Sequence, residues 1–313
     1  MLYCWILKRK YLDKHMALLL SIFTPSYNRA YILPILYKSL VGQTDNNFEW
    51  VIVDDGSSDN TEELVNEWIA ENKVHIVYYK QENQGKHIAI NSGVKRASGE
   101  LFFIVDSDDS LTPDAVQQVR EFWIEKEPVV GISGIISYRQ FPDGKLVGNP
   151  LPKDVNQCKL RDCIRKYGSS GDKVVIYKTA ILKRFPYPKF DGERFFGESY
   201  VFNQIDDEYD MLVMNSRIYN FDYQLDGLSQ DFRKLYRQNP KGMQVSFMQT
   251  LKYDKSLRHI AHVCCLGMNN RNLLSTIHKI GLKSIIALPV GLALYVKIFI
   301  LRASDVKPFV GRS

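Results

Sequence analysis

Two short acidic clusters, each closing an apolar run, hold the residues best placed to do chemistry. The first is Asp54-Asp55 after Val51-Ile52-Val53, and the second is Asp106-Ser107-Asp108-Asp109 after Phe102-Phe103-Ile104-Val105. Apolar runs of this kind read as buried parallel strands, and carboxylates at their C-terminal ends fall where open α/β sheets bind ligands. Asp106 and Asp108 are two apart, so an extended chain points both the same way. Two hard-oxygen ligands on one side suit Mg2+ or Mn2+ carrying a diphosphate.

Two further loops have binding character. Thr24-Pro25-Ser26-Tyr27-Asn28-Arg29 follows the first apolar run. Pro25 is expected to end that strand, Tyr27 to lie against a nucleobase, and Arg29 to grip a phosphate with its fork. Asn83-Gln84-Gly85-Lys86-His87 leads into a helix carrying Asn91. Gly85 lets backbone approach a ligand closely, and Lys86 beside a helix N-terminus favours an anion. Asp54 and Asp55 can accept from a uracil imide or ribose hydroxyls. Helix capping is the competing role there, but Ser57 through Asn60 can cap unaided. Singly each loop reads as a turn; four at C-terminal strand ends read as a ligand site.

Strand and helix alternate around these loops. Strands are expected over Leu18–Thr24, Trp50–Asp54, Val74–Lys80 and Leu101–Val105. Helices are expected over Tyr31–Val41, Asn60–Glu71, His87–Ala97 and Pro113–Lys126, the last with Pro113 at its first position. This alternation predicts a parallel, doubly wound sheet. Residues 127–225 are less regular, with strands at Val129–Ser137, Val174–Tyr177, Met211–Met214 and Arg217–Tyr223 and a short helix at Lys159–Tyr167. After an Asp226-Gly227 turn the chain reads as helical, broken at Asn239-Pro240 and at Gly242.

The 313 residues carry 41 Lys or Arg against 35 Asp or Glu, a net charge of +6. Much of the excess sits in the C-terminal tail, where no acid occurs from Lys255 to Ser304. Residues 284–301 are apolar except for Lys297, with Lys279, Lys283 and Arg302 around them. A membrane-surface or re-entrant anchor is the preferred reading, ahead of a full span and of a buried core helix. Five cysteines, an odd number with no C-x-x-C pair, argue for reduced thiols rather than a disulfide framework or zinc site. The order of residues 1–15, apolar and then basic, is not that of a secretory signal, and Met16 reads as the natural start. The expected division is a leader 1–15, a catalytic domain 16–225, a helical region 226–281 and an apolar, basic tail 282–313.

The series TPSYNR, VDDGSSDNT, NQGKHIAINSG and SGELFFIVDSDD resembles the family 2 glycosyltransferases, in order and spacing, over roughly residues 18–110. The resemblance implies a GT-A fold, an α/β architecture with a mostly parallel central sheet, here followed by a helical C-terminal extension. It implies a nucleotide-diphosphate sugar donor, UDP-sugar first, bound by Thr24, Pro25, Tyr27, Arg29, Asp54, Asp55, Asn83, Gly85, Lys86, Asn91, Asp106 and Ser107. It further implies Mn2+ or Mg2+ on Asp106 and Asp108, and inversion at the anomeric carbon. A carboxylate base is implied further along; Glu198 is the candidate, with Ser199 where many members have Asp, and Asp191 and Glu193 are alternatives. Asp172, Asp191 and Glu193 are placed on a possible acceptor side. Later blocks resemble bacterial members that build capsule, O-antigen or exopolysaccharide. Those imply a glycan or lipid-linked acceptor at the cytoplasmic face of the membrane, with no nucleic acid partner. A degenerate glycan-binding subunit is the alternative reading. A nucleotidyltransferase is weaker, since TPSYNR stands where its Gly-rich phosphate loop would be.

Overall fold

The computed structural model describes residues 19–126, 130–222 and 232–301. The expected leader, the start at Met16, Arg302 and the Asp226-Gly227 turn lie outside these residues. The chain forms two units. The first is built from residues up to Pro186 together with Val201–Leu225. The second comprises Tyr187–Tyr200 and the chain from Asp226 onward. The catalytic domain expected to run unbroken over 16–225 is thus interrupted, and Tyr187–Tyr200, with Asp191, Glu193 and Glu198, belongs to the second unit.

In the first unit the alternation gives β1 (Leu20–Ser26), α1 (Leu33–Val41), β2 (Phe48–Asp54), α2 (Thr61–Glu71), β3 (Ile76–Lys80), α3 (Lys86–Arg96) and β4 (Leu101–Ile104). The chain continues through β5 (Ser110–Leu111), α4 (Ala115–Lys126), β6 (Ile132–Gln140), β7 (Gln157–Cys158), α5 (Leu160–Arg165), β8 (Lys173–Lys178), α6 (Thr179–Leu182), α7 (Ser199–Glu208) and β9 (Asp210–Asn220). One sheet runs in the order β3-β2-β1-β4-β8-β6-β9-β5, with β7 on β9. Strands β3, β2, β1 and β4 are parallel, as their crossover helices require. β8 then runs antiparallel to both β4 and β6. Two reversals bring β6 back into the direction of β4, so their C-terminal ends share one edge.

Several local expectations are corrected. Pro25 does not end β1; it stays in register opposite Val53. Its missing N–H faces the β4 side, where pairing stops at Ile104, so no ladder bond is lost. Met211–Met214 and Arg217–Tyr223 are one strand, β9, whose polar Asn215-Ser216 break is absorbed by register shifts against β6. Helix α4 begins at Ala115, not at Pro113. Within the Ser57–Asn60 stretch expected to cap α2, it is Asp59 that serves its start: its Oδ1 accepts from the Thr61 N–H at 3.2 Å and the Thr61 hydroxyl at 2.6 Å.

The core lies between the sheet and its helices. Tyr37 stacks on Trp68 at 4.2 Å, and Trp68 on Trp50 at 5.8 Å, fastening α1 and α2 to β2. The strand faces are close-packed enough to demand glycine: a Cβ at Gly134 of β6 would lie 1.9 Å from the Ile176 carbonyl oxygen of β8.

The second unit contains α8 (Phe232–Gln238), α9 (Pro240–Thr250), α10 (Leu257–Asn269), α11 (Leu273–Ile280) and α12 (Leu282–Tyr295), which widens into a π turn at Val296–Ile300. Pro240 sits at the first turn of α9, as a proline can, and Gly242 lies inside that helix rather than breaking it. Helix α12 packs with its small residues inward. Ser284, Ala287 and Gly291 are buried, and a Cβ on Gly291 would meet the Ala261 carbonyl of α10 at 3.0 Å. Its large aliphatics point out: Leu282 is 81% and Ile286 66% exposed, and Ile285, Val290 and Leu292 are also exposed. The C-terminal carbonyls are held by α8, where Arg233 bonds Lys297 and Leu301, and Arg237 bonds Ile298 and Leu301.

Candidate active site

The C-terminal edge of the first unit's sheet gathers the acidic clusters. Asp54 is the last residue of β2, Asp106 lies two residues beyond β4, and Arg139 is the penultimate residue of β6. Lys86, at the start of α3, holds the Asp106 Oδ1 at 2.7 Å. Burial would raise the Asp106 carboxyl, but Lys86, Arg139 and Arg29 bring it below the ordinary carboxylate value. Asp108 goes the other way: burial and the neighbouring Asp106 charge hold it above that value, outweighing the lowering pull of Arg29 and Lys86. Burial likewise pushes Asp109 up to about 7, against a lowering hydrogen bond from Tyr219.

Tyr219 of β9 connects this loop to the sheet. Its hydroxyl donates to Asp109 Oδ2 at 2.6 Å and accepts from the Asp106 N–H at 3.1 Å. The Asp222 N–H donates to Asp109 Oδ1 at 3.1 Å. Arg139 lies over the Tyr219 ring at 4.4 Å and 3.6 Å from Asp109 Oδ2.

The second cluster fastens its neighbouring loops. Asp54 Oδ1 accepts from the Ser57 N–H at 2.7 Å, and Oδ2 from the Tyr78 hydroxyl at 2.8 Å. Asp55 accepts from the Gln84 and Gly85 N–H groups at 2.9 and 2.7 Å and from the Gln81 amide at 2.8 Å. Asp55 therefore shapes the Asn83–Lys86 loop that delivers Lys86 to Asp106. Gly85 takes a φ of 92°, and Gly56 a φ of 83° with its Cβ position 2.9 Å from the Asn83 N, so both glycines are required by backbone geometry. Asn28, at φ 55°, takes the Ser58 N–H at 2.8 Å and ties the Tyr27–Arg29 loop to β2's end.

The candidate residues separate on this geometry. Arg29, Lys86, Asp106 and Asp108 come together electrostatically. Tyr27 is 48% exposed, open to stacking. Asn83 and Asn91 are half-buried and Ser107 is buried. Thr24 is fully buried with its hydroxyl accepting from the Trp50 indole N–H at 2.9 Å, which makes it a support of the site rather than a surface of it. Asp172 is exposed, but its charge acts on Arg139, so it joins the Asp106 group. Sequence reasoning missed Arg139 and Tyr219, and it named Asp109 in the acidic cluster without giving it a role of its own.

In the second unit, Glu193 is buried and accepts from the Lys241 and Gly242 N–H groups at 2.9 and 2.7 Å. It caps α9, complementing the helix dipole. Asp191 is exposed. Glu198 is half-buried directly before α7, and its carbonyl accepts from the Tyr187 hydroxyl at 3.2 Å.

Among the described residues no group of three or more His, Cys, Asp or Glu side chains forms a metal cage. The donor set still fits a hard divalent cation. Mg2+-type ions bind through one or two carboxylates plus substrate phosphates and water. The raised Asp108 carboxyl beside Asp106 is what an added cation would relieve.

Residues 21–169 match the model of the family described as Glycosyl transferase family 2. TuaG of Bacillus subtilis, named for teichuronic acid biosynthesis, is 32% identical over 139 residues, 44% of this chain and 52% of that protein. GlyA, a glycosyltransferase of Streptococcus pneumoniae, is 31% identical over 121 residues, 39% of this chain and 17% of that protein. The chain thus spans about half of the first relative's length and much less of the second's. S. aureus TarS 1-349, crystallised with UDP-GlcNAc, superposes with a TM-score of 0.59 at 20% identity, over 90% of this chain and 81% of that one. A Pyrobaculum calidifontis mannosyltransferase in complex with GDP-Man and Mn2+ superposes with a TM-score of 0.53 at 17% identity, over 94% of this chain and 87% of that one. Residues 21–169 are therefore a glycosyltransferase family 2 domain, and the fold is of the GT-A type.

Proposed function

We propose that this chain is an inverting glycosyltransferase. It moves a sugar from a nucleotide-diphosphate donor, a UDP-sugar first, to a hydroxyl of a glycan or lipid-linked acceptor in cell-surface polysaccharide synthesis. The observation that carries this reading is the Asp106–Asp108 pair on the sheet's C-terminal edge with Arg29 and Lys86 beside it. Carboxylates for a cation and cations for phosphate stand together there. The named activities of the relatives and the sugar nucleotides bound by the structural neighbours support it.

Asp106 and Asp108 would hold Mn2+ or Mg2+, which when bound offsets charge on the departing diphosphate. Lys86 and Arg29 attract the phosphates and keep Asp106 ionised. Tyr27 offers a flat face to the base. Glu198 takes the proton of the acceptor hydroxyl as it attacks C1, a contribution of about 10²–10⁴-fold. Release of UDP or GDP from a panel of nucleotide sugars, with and without Mn2+, tests the reading. Binding of sugar nucleotides with no release under any acceptor would favour a degenerate binding subunit, and release of diphosphate from a nucleoside triphosphate a nucleotidyltransferase. Glu198→Gln should keep donor affinity and lose transfer; if Asp191→Asn is the silent enzyme instead, Glu198 is the wrong acid.

The same reading places the protein on the cytoplasmic face of the membrane. Leu282–Ile300 is long and apolar enough to cross a bilayer, and 22% of its most apolar window is buried. Its outward aliphatics, with Lys279, Lys283 and Lys297 near them, support a helix lying in the interface, fastened to its unit by Arg233 and Arg237. Vesicle flotation tests this. Full-length protein should float with anionic vesicles, and the variant Ile285→Gln, Ile286→Gln, Val290→Gln should remain in solution.

A further inference from the structure

Arg139 stands apart from the other charges of the site. Its side chain is 16% exposed. Its nearest carboxylate oxygen, Asp109 Oδ2, is 3.6 Å away, beyond ordinary hydrogen-bond length, and its Nε is buried without a partner among the described residues. Asp172 acts on it only through its charge and is itself exposed, and the two acids of the loop beside it are already served. Asp106 has Lys86 at 2.7 Å, and Asp109 has the Tyr219 hydroxyl at 2.6 Å and the Asp222 N–H at 3.1 Å. The guanidinium is instead positioned by its faces, over Tyr219 at 4.4 Å and Phe221 at 5.9 Å. A buried guanidinium is retained at a loss unless its donors are used. Its planar fork matches an anion presenting two oxygens, a geometry that lysine cannot reproduce.

Its place in the sheet indicates which anion. β6 runs parallel to β4 through two antiparallel steps, so Arg139 reaches the same edge as Asp106, and its charge acts on that carboxyl. We propose that Arg139 is a phosphate-binding residue of this site, receiving oxygens of the donor's diphosphate opposite Lys86 and Arg29. This rests on the reading of the chain as a nucleotide-sugar transferase and adds a residue to it. The pull of Asp109 and Tyr219 keeps the guanidinium oriented before the donor arrives.

Calorimetric titration of UDP, GDP and inorganic diphosphate in Mn2+ buffer tests the assignment. Uridine, guanosine and Mn2+ alone serve as controls. Arg139→Met keeps the stem that packs on Tyr219 and removes the fork. It should weaken diphosphate-bearing ligands about tenfold or more while nucleoside and Mn2+ binding hold. Arg139→Lys restores charge without the fork and should recover only part of the loss. It carries the test if the methionine variant does not fold. Undiminished diphosphate binding by the folded variants overturns the proposal, and so does a parallel loss of Mn2+ binding, which would mark Arg139 as a support of the acidic loop. A wild-type protein that binds no nucleoside diphosphate overturns the transferase reading itself, a distinguishable outcome.

Discussion

Tyr219→Phe removes one oxygen from a buried junction and should be far more damaging than its size suggests. The hydroxyl serves both Asp109 Oδ2 at 2.6 Å and the Asp106 N–H at 3.1 Å. Without it the Asp106 N–H is stranded, about 1–3 kcal/mol, and Asp109 loses a charge-assisted bond, about 1.5–3 kcal/mol. A loss of about 3–5 kcal/mol is expected at alkaline pH. The loss should depend on pH. Burial raises the Asp109 carboxyl to about 7 in the folded protein, so its stabilising contribution is full below its unfolded value and disappears as pH climbs through about 7. The Tyr219 bond lowers that value, so the variant's carboxyl titrates higher still. The deficit should therefore be larger at pH 9, where the wild-type carboxylate uses the bond, than at pH 5.5, where Asp109 is protonated in both proteins. Native-state hydrogen exchange of peptides covering β4 and β9, against denaturant, reads the first unit selectively. A deficit below about 1 kcal/mol, or an equal deficit at the two pH values, would refute the junction as described.

Three other outcomes are expected. Asp108→Asn should abolish Mn2+-dependent transfer without lowering the melting temperature, since burial and Asp106 already disfavour its charge; wild-type turnover that persists in metal-depleted buffer would contradict the metal assignment. Gly134→Ala should lose about 3 kcal/mol or more, or fail to give soluble protein, because its Cβ would lie 1.9 Å from the Ile176 oxygen; a normal melting curve would contradict the packing. His87 is buried and its imidazole is lowered to about 4, so stability present above about pH 6.5 should decline between 6.5 and 4 by up to about 3 kcal/mol, and His87→Gln should flatten that slope.

The βα half of the sheet was legible because each strand there is built on a short apolar run, such as Val51-Ile52-Val53 in β2 and Leu101–Ile104 in β4, and each crossover helix has its own period. The later half was not, because β8 joins β4 and β6 in antiparallel pairs fixed only by distant partners. Asn215-Ser216 reads locally as a break, whereas β9 accommodates it by shifting register against β6. Acidic loops at strand ends were visible, but the division of labour within them was not. Asp55 and Glu193 are polar residues whose partners are backbone N–H groups about 30 and 50 positions away. Arg139 had no local signal, since the acids that surround it lie on other strands and loops.

The aromatic ladder on β2 has an optical consequence. Trp50 and Trp68 lie 5.8 Å apart with planes at 23°, close enough for their transitions to couple as an exciton pair. Such a pair gives a signed circular-dichroism couplet that exists only while α2 is seated on β2. The Trp50 indole N–H also bonds Thr24, three residues before Tyr27. A sugar nucleotide that draws the Tyr27 loop inward would therefore perturb the couplet through that bond. Donor titrations could then be followed on the unlabelled protein, with light the natural sequence already absorbs.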